Sequence, residues 1–301
     1  MLNLKTLPKV LLLLAAFVFF SANTVYFLDE APAASMSMAG DPICHFDFEN
    51  VCEKHPYLNI KSGILVNYSN GNVLYAKNAD SVRPIASITK LVTAMIVIDN
   101  RVDLDKTETI TKEDSRRSSR SRLRTGYELT VRDLLHAALM NSDNRAARAL
   151  ARATSGSIEA FARDMNFKMR QLGLKHTRFV EPTGLDAQNV STAHEVAKLL
   201  HYTYDYDLIA EITAKKTYQC RVLNSKKSKQ IPMASTNLLV HSKYHVLGGK
   251  TGYIRAADYC LTTLLENANG ERLTLVVLGV PGDKLRFREA RRLVDWGFKQ
   301  V

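Results

Sequence analysis

The chain has 301 residues, 46% apolar and 24% charged, with 41 Lys plus Arg against 30 Asp plus Glu and a formal net charge of +11. This composition is too apolar for a disordered polymer, and 14 Gly with 8 Pro are too few for a fibrous repeat. Four Cys are too few for a disulfide-built scaffold, while the basic excess suits either nucleic acid or an anionic surface.

The N-terminus chooses between those partners. Lys5 and Lys9 precede an apolar run over 10–20, a weaker run continues to Leu28, and Ala31-Pro32-Ala33 places small residues where a signal peptidase cuts. Residues 1–33 therefore read as a signal peptide. The alternative is an uncleaved anchor, since 10–28 is long enough to span a bilayer, and this segment is the one expected membrane contact. Either way the preceding lysines keep the N-terminus in the cytoplasm and the rest is exported. The leader's Lys5 and Lys9 balance Asp29 and Glu30, so the +11 stays with the exported part. There the polyanions are wall polymers and lipid headgroups, and no nucleic-acid partner is expected. Export permits disulfides: Cys44 and Cys52 can pair, while Cys220 and Cys260 sit in apolar, strand-like surroundings typical of buried thiols. With no CxxC and eight scattered His, no metal site is expected.

Residues 34–56 lack periodicity and read as a linker to a domain over 57–301. Strands are predicted over 60–68 and 73–76, joined by Ser69-Asn70-Gly71-Asn72, whose Asn-Gly pair is a strong hairpin signal. Apolar residues then recur at helical spacing over 88–98, 131–139, 143–153 and 158–172. Thr192 with Glu195 forms a capping box that opens a helix running toward Tyr204. Beyond Cys220 the pattern turns strand-like, with strands at 259–265 and 273–280 and a last helix over 284–298. Strands, helices, strands and a helix in that order predict an α/β (α+β) sandwich: an antiparallel sheet whose two chain ends meet around an inserted helical lobe.

Three short motifs carry chemistry. Ser87-Ile88-Thr89-Lys90 opens a helix after Pro84, and residues three apart share a helical face, so Ser87 Oγ and Lys90 Nζ can meet. Serine needs a base to take its proton, and a lysine of lowered pKa can serve. Ser142-Asp143-Asn144 lies between two helical runs, and Lys250-Thr251-Gly252 follows Gly248-Gly249 in the strand-rich part. Each alone is common: a helix cap, a glycine-kinked strand. Together, once each and in this order in an exported chain, they match the signature of serine β-lactamases and penicillin-binding proteins.

The chain resembles the low-molecular-mass penicillin-binding proteins, and most closely the D-alanyl-D-alanine endopeptidases of the penicillin-binding protein 7 type. The likeness rests on Arg83-Pro84-Ile85-Ala86-Ser87-Ile88-Thr89-Lys90-Leu91, Asn144-Arg145-Ala146-Ala147, Thr177-Arg178-Phe179-Val180-Glu181-Pro182-Thr183-Gly184-Leu185 and Asn189-Val190-Ser191-Thr192-Ala193. It implies the serine β-lactamase/penicillin-binding-protein fold, peptidoglycan stem peptides as substrate, β-lactams as covalent inhibitors, and no cofactor. In the implied mechanism Ser87 attacks, neutral Lys90 takes its proton, and Ser142 and Asn144 orient Lys90 and relay a proton to the leaving amine. Lys250, Thr251 and Gly252 bind the substrate, with Lys250 cationic toward its carboxylate and Thr251 hydrogen-bonding it. The backbone N–H groups of Ser87 and Tyr253 form the oxyanion hole. Two positions depart from the family pattern: Asp258 follows Ala257 where relatives carry Gly, and His194 stands where relatives often have Arg or Lys.

Two enzymatic alternatives remain beside the endopeptidase. A D-alanyl-D-alanine carboxypeptidase shares every motif and differs only in its leaving group. A class A β-lactamase adds a deacylating Glu, a role for which Glu181-Pro182 is the candidate, although Thr183-Gly184-Leu185 and Ser191-Thr192-Ala193 follow the peptidase pattern. Finally, Arg116, Arg117, Arg120, Arg122 and Arg124 crowd one ten-residue stretch, which is expected to border the cleft and meet the anionic wall.

Overall fold

In a computed structural model of the chain, residues 46–47, 55–116 and 121–301 are described. The predicted hairpin forms from β1 (Ser62–Asn67) and β2 (Val73–Lys77), with Gly71 at the left-handed φ of 76° that its turn requires. β3 (Arg83–Pro84) leads through a 3-10 turn, Ala86–Thr89, into α1 (Lys90–Asp99). β4 (Thr107–Thr109) and β5 (Glu128–Thr130) pair with each other ahead of three helices, α2 (Val131–Met140), α3 (Asn144–Ser155) and α4 (Ile158–Gln171). Their starts are written in the sequence: the side chains of Thr130, Asp143 and Ser157 each accept a backbone N–H of the first turn.

β6 (Val190–Ser191) pairs with β3 and is followed by α5 (Ala193–Tyr204) and α6 (Asp207–Ala214). Half of the expected capping box at α5 forms: Thr192 Oγ1 accepts from Glu195 N at 3.0 Å. The Glu195 carboxylate instead accepts from His176 N and from Thr177 Oγ1, tying an upstream loop to this helix. The hairpin β7 (Thr217–Arg221) and β8 (Gln230–Ala234) precedes β9 (His245–Ile254), β10 (Asp258–Glu266), β11 (Arg272–Val280) and α7 (Asp283–Gly297).

The main sheet runs β2-β1-β11-β10-β9 and is antiparallel throughout, so the two ends of the domain meet at the β1–β11 pair. Side-chain alternation separates two cores. Ile64, Val66, Val276 and Leu278 face the helical lobe with α1, whereas Leu65, Leu275 and Val277 pack with Phe287, Leu293 and Val294 of α7. Each such side chain contributes about 1.5–3 kcal/mol on burial, which is what pins the register.

The linker expectation over 34–56 needs correction at one point. Phe46 is buried against the rings of His194 and His201, and Asp47 pairs its backbone with Gly71 and Val73. The apolar residues around Phe46 are too few to set a helix or strand period, so pattern reading overlooks it. Cys220 and Cys260 are buried free thiols; the proposed pairing of Cys44 with Cys52 lies outside the described residues, as does the leader. Among the described residues no helix is long and apolar enough to cross a membrane.

Candidate active site

The nucleophile motif occupies a strained turn rather than a regular helix start. Ala86 has φ of 48°, a conformation L-residues adopt at a cost of about 1–3 kcal/mol and which marks functional turns. Two glycines let the surroundings close on that turn. A Cβ on Gly184, itself at φ of 79°, would lie 2.0 Å from Ala86 O; one on Gly252 of β9 would lie 3.0 Å from Ser87 N. The loop before β6 and the edge strand β9 thus grip the turn from two sides.

Lys90, the first residue of α1, is fully buried. Its Nζ lies 3.0 Å from Ser87 Oγ, 2.8 Å from Asn144 Oδ1 and 2.6 Å from the Thr183 carbonyl oxygen. The last two are acceptors only. A neutral amine therefore gives its two hydrogens to them and turns its lone pair to the Ser87 hydroxyl, the arrangement a general base needs. Burial lowers the Lys90 pKa to about 8, with Arg148 acting in the same direction and Glu181 and Asp143 opposing it.

Lys250 of β9 is also buried, and its Nζ donates to Ser142 Oγ at 3.0 Å and to the Thr251 carbonyl at 2.9 Å. Burial, then the positive charges of Lys90 and Arg286, hold its pKa well below the ordinary lysine value. Here the geometry revises an expected role. Asn144 reaches Lys90, whereas Ser142, at a left-handed φ of 57°, turns its hydroxyl to Lys250 instead. Ser87, Ser142, Asn144, Thr251, Gly252 and Tyr253 all line one cleft of about 680 Å³. Thr251 Oγ1 is 2.6 Å from Thr236 Oγ1, and the half-exposed Tyr253 ring stacks on Tyr259 at 4.3 Å.

A serine, a buried base and a second buried lysine across one cleft agree with what the chain is similar to. The peptidase S11 family model, described as D-alanyl-D-alanine carboxypeptidase, matches residues 49–282. The chain belongs to this family. It is 38% identical to the D-alanyl-D-alanine endopeptidase of Escherichia coli K12, covering 80% of this chain and 78% of that protein. It is 39% identical to the enzyme of the same name from Pseudomonas aeruginosa, covering 78% and 76%. The carboxypeptidase DacF of Bacillus subtilis is 33% identical, over 80% of this chain and 62% of its own length. Among solved structures, the Streptomyces K15 DD-transpeptidase superposes with a TM-score of 0.77 at 27% identity, covering 82% of this chain and 99% of that one.

In this S11 peptidase the loop before β6 is held by Glu181. Its carboxylate accepts from the backbone N–H groups of Thr183, Gly184 and Leu185 and from the Asn189 side chain. Those bonds fix the Thr183 carbonyl that Lys90 uses, so Glu181 acts as a clasp within the loop, unlike the deacylating glutamate of a class A β-lactamase. Sequence reasoning missed that carbonyl because a backbone acceptor leaves no side-chain signature. It also missed Arg286 of α7, which is buried and donates to the carbonyls of Gly252 and Cys260, bracing β9 beside Ser87. An Arg in an amphipathic helix reads as surface, and nothing nearby in sequence marks it.

Both departures from the family pattern find local explanations. Asp258 sits at φ of 55°, where Gly is favoured, and forms an ion pair with Lys61 at 2.7 Å. His194 meets Asp80 at 3.0 Å and stacks on Phe46, and it is absent from the cleft lining. Of the arginine-rich stretch, Arg117 and Arg120 fall outside the described residues. Ser121 lines the cleft and donates to Asp143, while Arg122 is spent on the Pro232 carbonyl.

Proposed function

We propose that this S11 peptidase hydrolyses D-Ala-containing cross-links between peptidoglycan stem peptides through an acyl-enzyme on Ser87, and that β-lactams inhibit it by opening onto the same serine as a stable ester. The observation that carries this reading is the Lys90 amine, buried and hydrogen-bonded so that its lone pair addresses Ser87 Oγ. Ser87 attacks the carbonyl carbon of the donor D-Ala and Lys90 takes the hydroxyl proton. The oxyanion forms between the N–H groups of Ser87 and Tyr253, donors typically worth about 3 kcal/mol of barrier each. The C–N bond then breaks as the proton taken by Lys90 passes to the leaving nitrogen with Ser142 as the relay, so that Lys90 is neutral again. Water attacks the ester, neutral Lys90 takes its proton, and collapse of the second tetrahedral intermediate returns that proton to Ser87 Oγ as the acid product leaves.

Two buried lysines in one cleft repel each other, and the substrate resolves that conflict. Its free carboxylate, bound by Lys250 and Thr251, restores the Lys250 charge, which in turn favours neutral Lys90. The enzyme works on the outer side of the cytoplasmic membrane, to which the N-terminal segment directs it. The endopeptidase assignment leans on the identity to the two named endopeptidases. Digestion of purified cross-linked muropeptide dimers, with products read by mass, tests it: monomers are expected, and D-Ala release from pentapeptides with dimers intact would make the chain a carboxypeptidase.

A further inference from the structure

Away from the catalytic cleft lies a second concavity of about 600 Å³, lined by Arg163 and Arg170 of α4 and by Lys175 and Arg178 of the loop that follows. Asn166 builds its wall: the side chain accepts from Phe179 N at 2.9 Å and donates to Phe179 O at 2.7 Å, fastening the loop to the helix. The four cations are exposed. None of them has an acidic partner among the described residues, and the one side-chain contact recorded for them is Arg170 over the Phe167 ring at 5.8 Å. Asp164 is engaged by Ser155 and Glu195 by His176 and Thr177, while Glu159, one turn before Arg163 on α4, forms no ion pair with it. Arg170 in the last turn of α4 offsets the helix dipole, but that does not account for Arg163, Lys175 or Arg178. Four like charges brought together without counterions cost folding energy unless an external anion meets them.

From this we infer that the α4 groove is a docking site for the carboxylates of the wall peptidoglycan itself, separate from the cleft that cuts it. The inference rests on the wall-directed reading above, because the sacculus is the polyanion that reading brings against the enzyme. Guanidinium groups match carboxylates in paired hydrogen bonds. Phe167, 55% exposed, adds an apolar edge that a stem peptide covers better than a headgroup phosphate does. The groove and the cleft share no lining residue. The groove segment runs on directly into the Glu181-clasped loop that carries Thr183. Polymer held at the groove stays near the loop whose Thr183 carbonyl contacts Lys90.

The test measures co-sedimentation of the full chain carrying Ser87→Ala with purified sacculi. Adding Arg163→Glu, Arg170→Glu, Lys175→Glu and Arg178→Glu together should weaken binding ~10-fold or more at low salt. Binding of the parent should fall as salt rises, and amidation of the sacculus carboxylates should weaken it equally. In the Ser87-bearing chain the same four changes should leave penicillin acylation and cleavage of soluble dimers unchanged while slowing digestion of intact sacculi. If the fourfold variant is not acylated, the milder Arg163→Gln with Lys175→Gln decides, with a ~3-fold loss expected. Undiminished sacculus binding overturns the inference, as does equal loss of binding to phosphatidylglycerol vesicles, which would make lipid the ligand. A parent chain that binds sacculi through the groove but cuts no dimer would overturn the functional reading and leave the docking site standing.

Discussion

Two regions of this molecule gather basic side chains, and burial makes them opposite things. In the cleft Lys90, Lys250 and Arg286 are sealed from water and bonded to carbonyl, hydroxyl and amide oxygens. Desolvation lowers the pKa of all three, and for Lys90 it brings the neutral base form within reach at a pH of about 8. In the α4 groove Arg163, Arg170, Lys175 and Arg178 stay in water and lack acidic partners among the described residues, so they are placed to hold an anion. Residue type alone does not separate a catalytic lysine from a docking one; the surrounding dielectric and the acceptors do.

The sharpest break in that contrast is at Ser87. Ser87→Ala should lower β-lactam acylation by at least ~10⁴-fold, measured as loss of covalent label on an otherwise folded chain. Lys90→Arg keeps the charge but removes the base, and a fall of ~10³-fold in acylation rate is expected. If arginine served nearly as well, Lys90 would be acting as a charge, like the α4 cations. Gly184→Ala places a methyl group against Ala86 O in a left-handed backbone. A loss of ~10²-fold in acylation and about 1–3 kcal/mol in stability should follow, read by stopped-flow acylation and denaturant unfolding.

pH and salt separate the two regions within one protein. Protonated Lys90 cannot accept the serine proton, so acylation should rise with pH through a midpoint of about 8. Sacculus binding through the groove cations should instead weaken as salt is raised at fixed pH. A midpoint at the ordinary lysine value of 10.5 would show that burial does not tune this amine. The smallest effect belongs to Asp258→Gly. Relief of its φ of 55° offsets loss of a half-exposed ion pair with Lys61 worth about 0.2–1 kcal/mol, so melting and acylation should barely move.

Much of the fold was legible because its signals are local. The Asn-Gly hairpin, the side-chain caps at Asp143 and Thr192, and the continuous apolar and β-branched runs at β10 and β11 each follow from a few neighbouring residues. The three motifs were legible as motifs, since Ser87 and Lys90 are three apart on one turn. Which partner each side chain meets was not. That Ser142 turns to Lys250 and Asn144 to Lys90 depends on the left-handed backbone at Ser142 and on how β9 docks, neither of which leaves a mark in residue spacing. The Glu181 clasp reads in sequence as a Glu-Pro pair with two possible roles, and only the N–H groups that converge on it distinguish them. The α4 groove was invisible for a similar reason, because Arg163 and Arg178 become neighbours only when Asn166 folds the loop back onto the helix.

The account stands most directly on what the enzyme does to a cross-linked muropeptide dimer. Incubated with the purified chain and analysed by mass, the dimer should yield two monomers, with no cleavage by the Ser87→Ala variant. Dimers left intact while pentapeptide monomers lose their terminal D-Ala, or cleavage that survives Ser87→Ala, would contradict it.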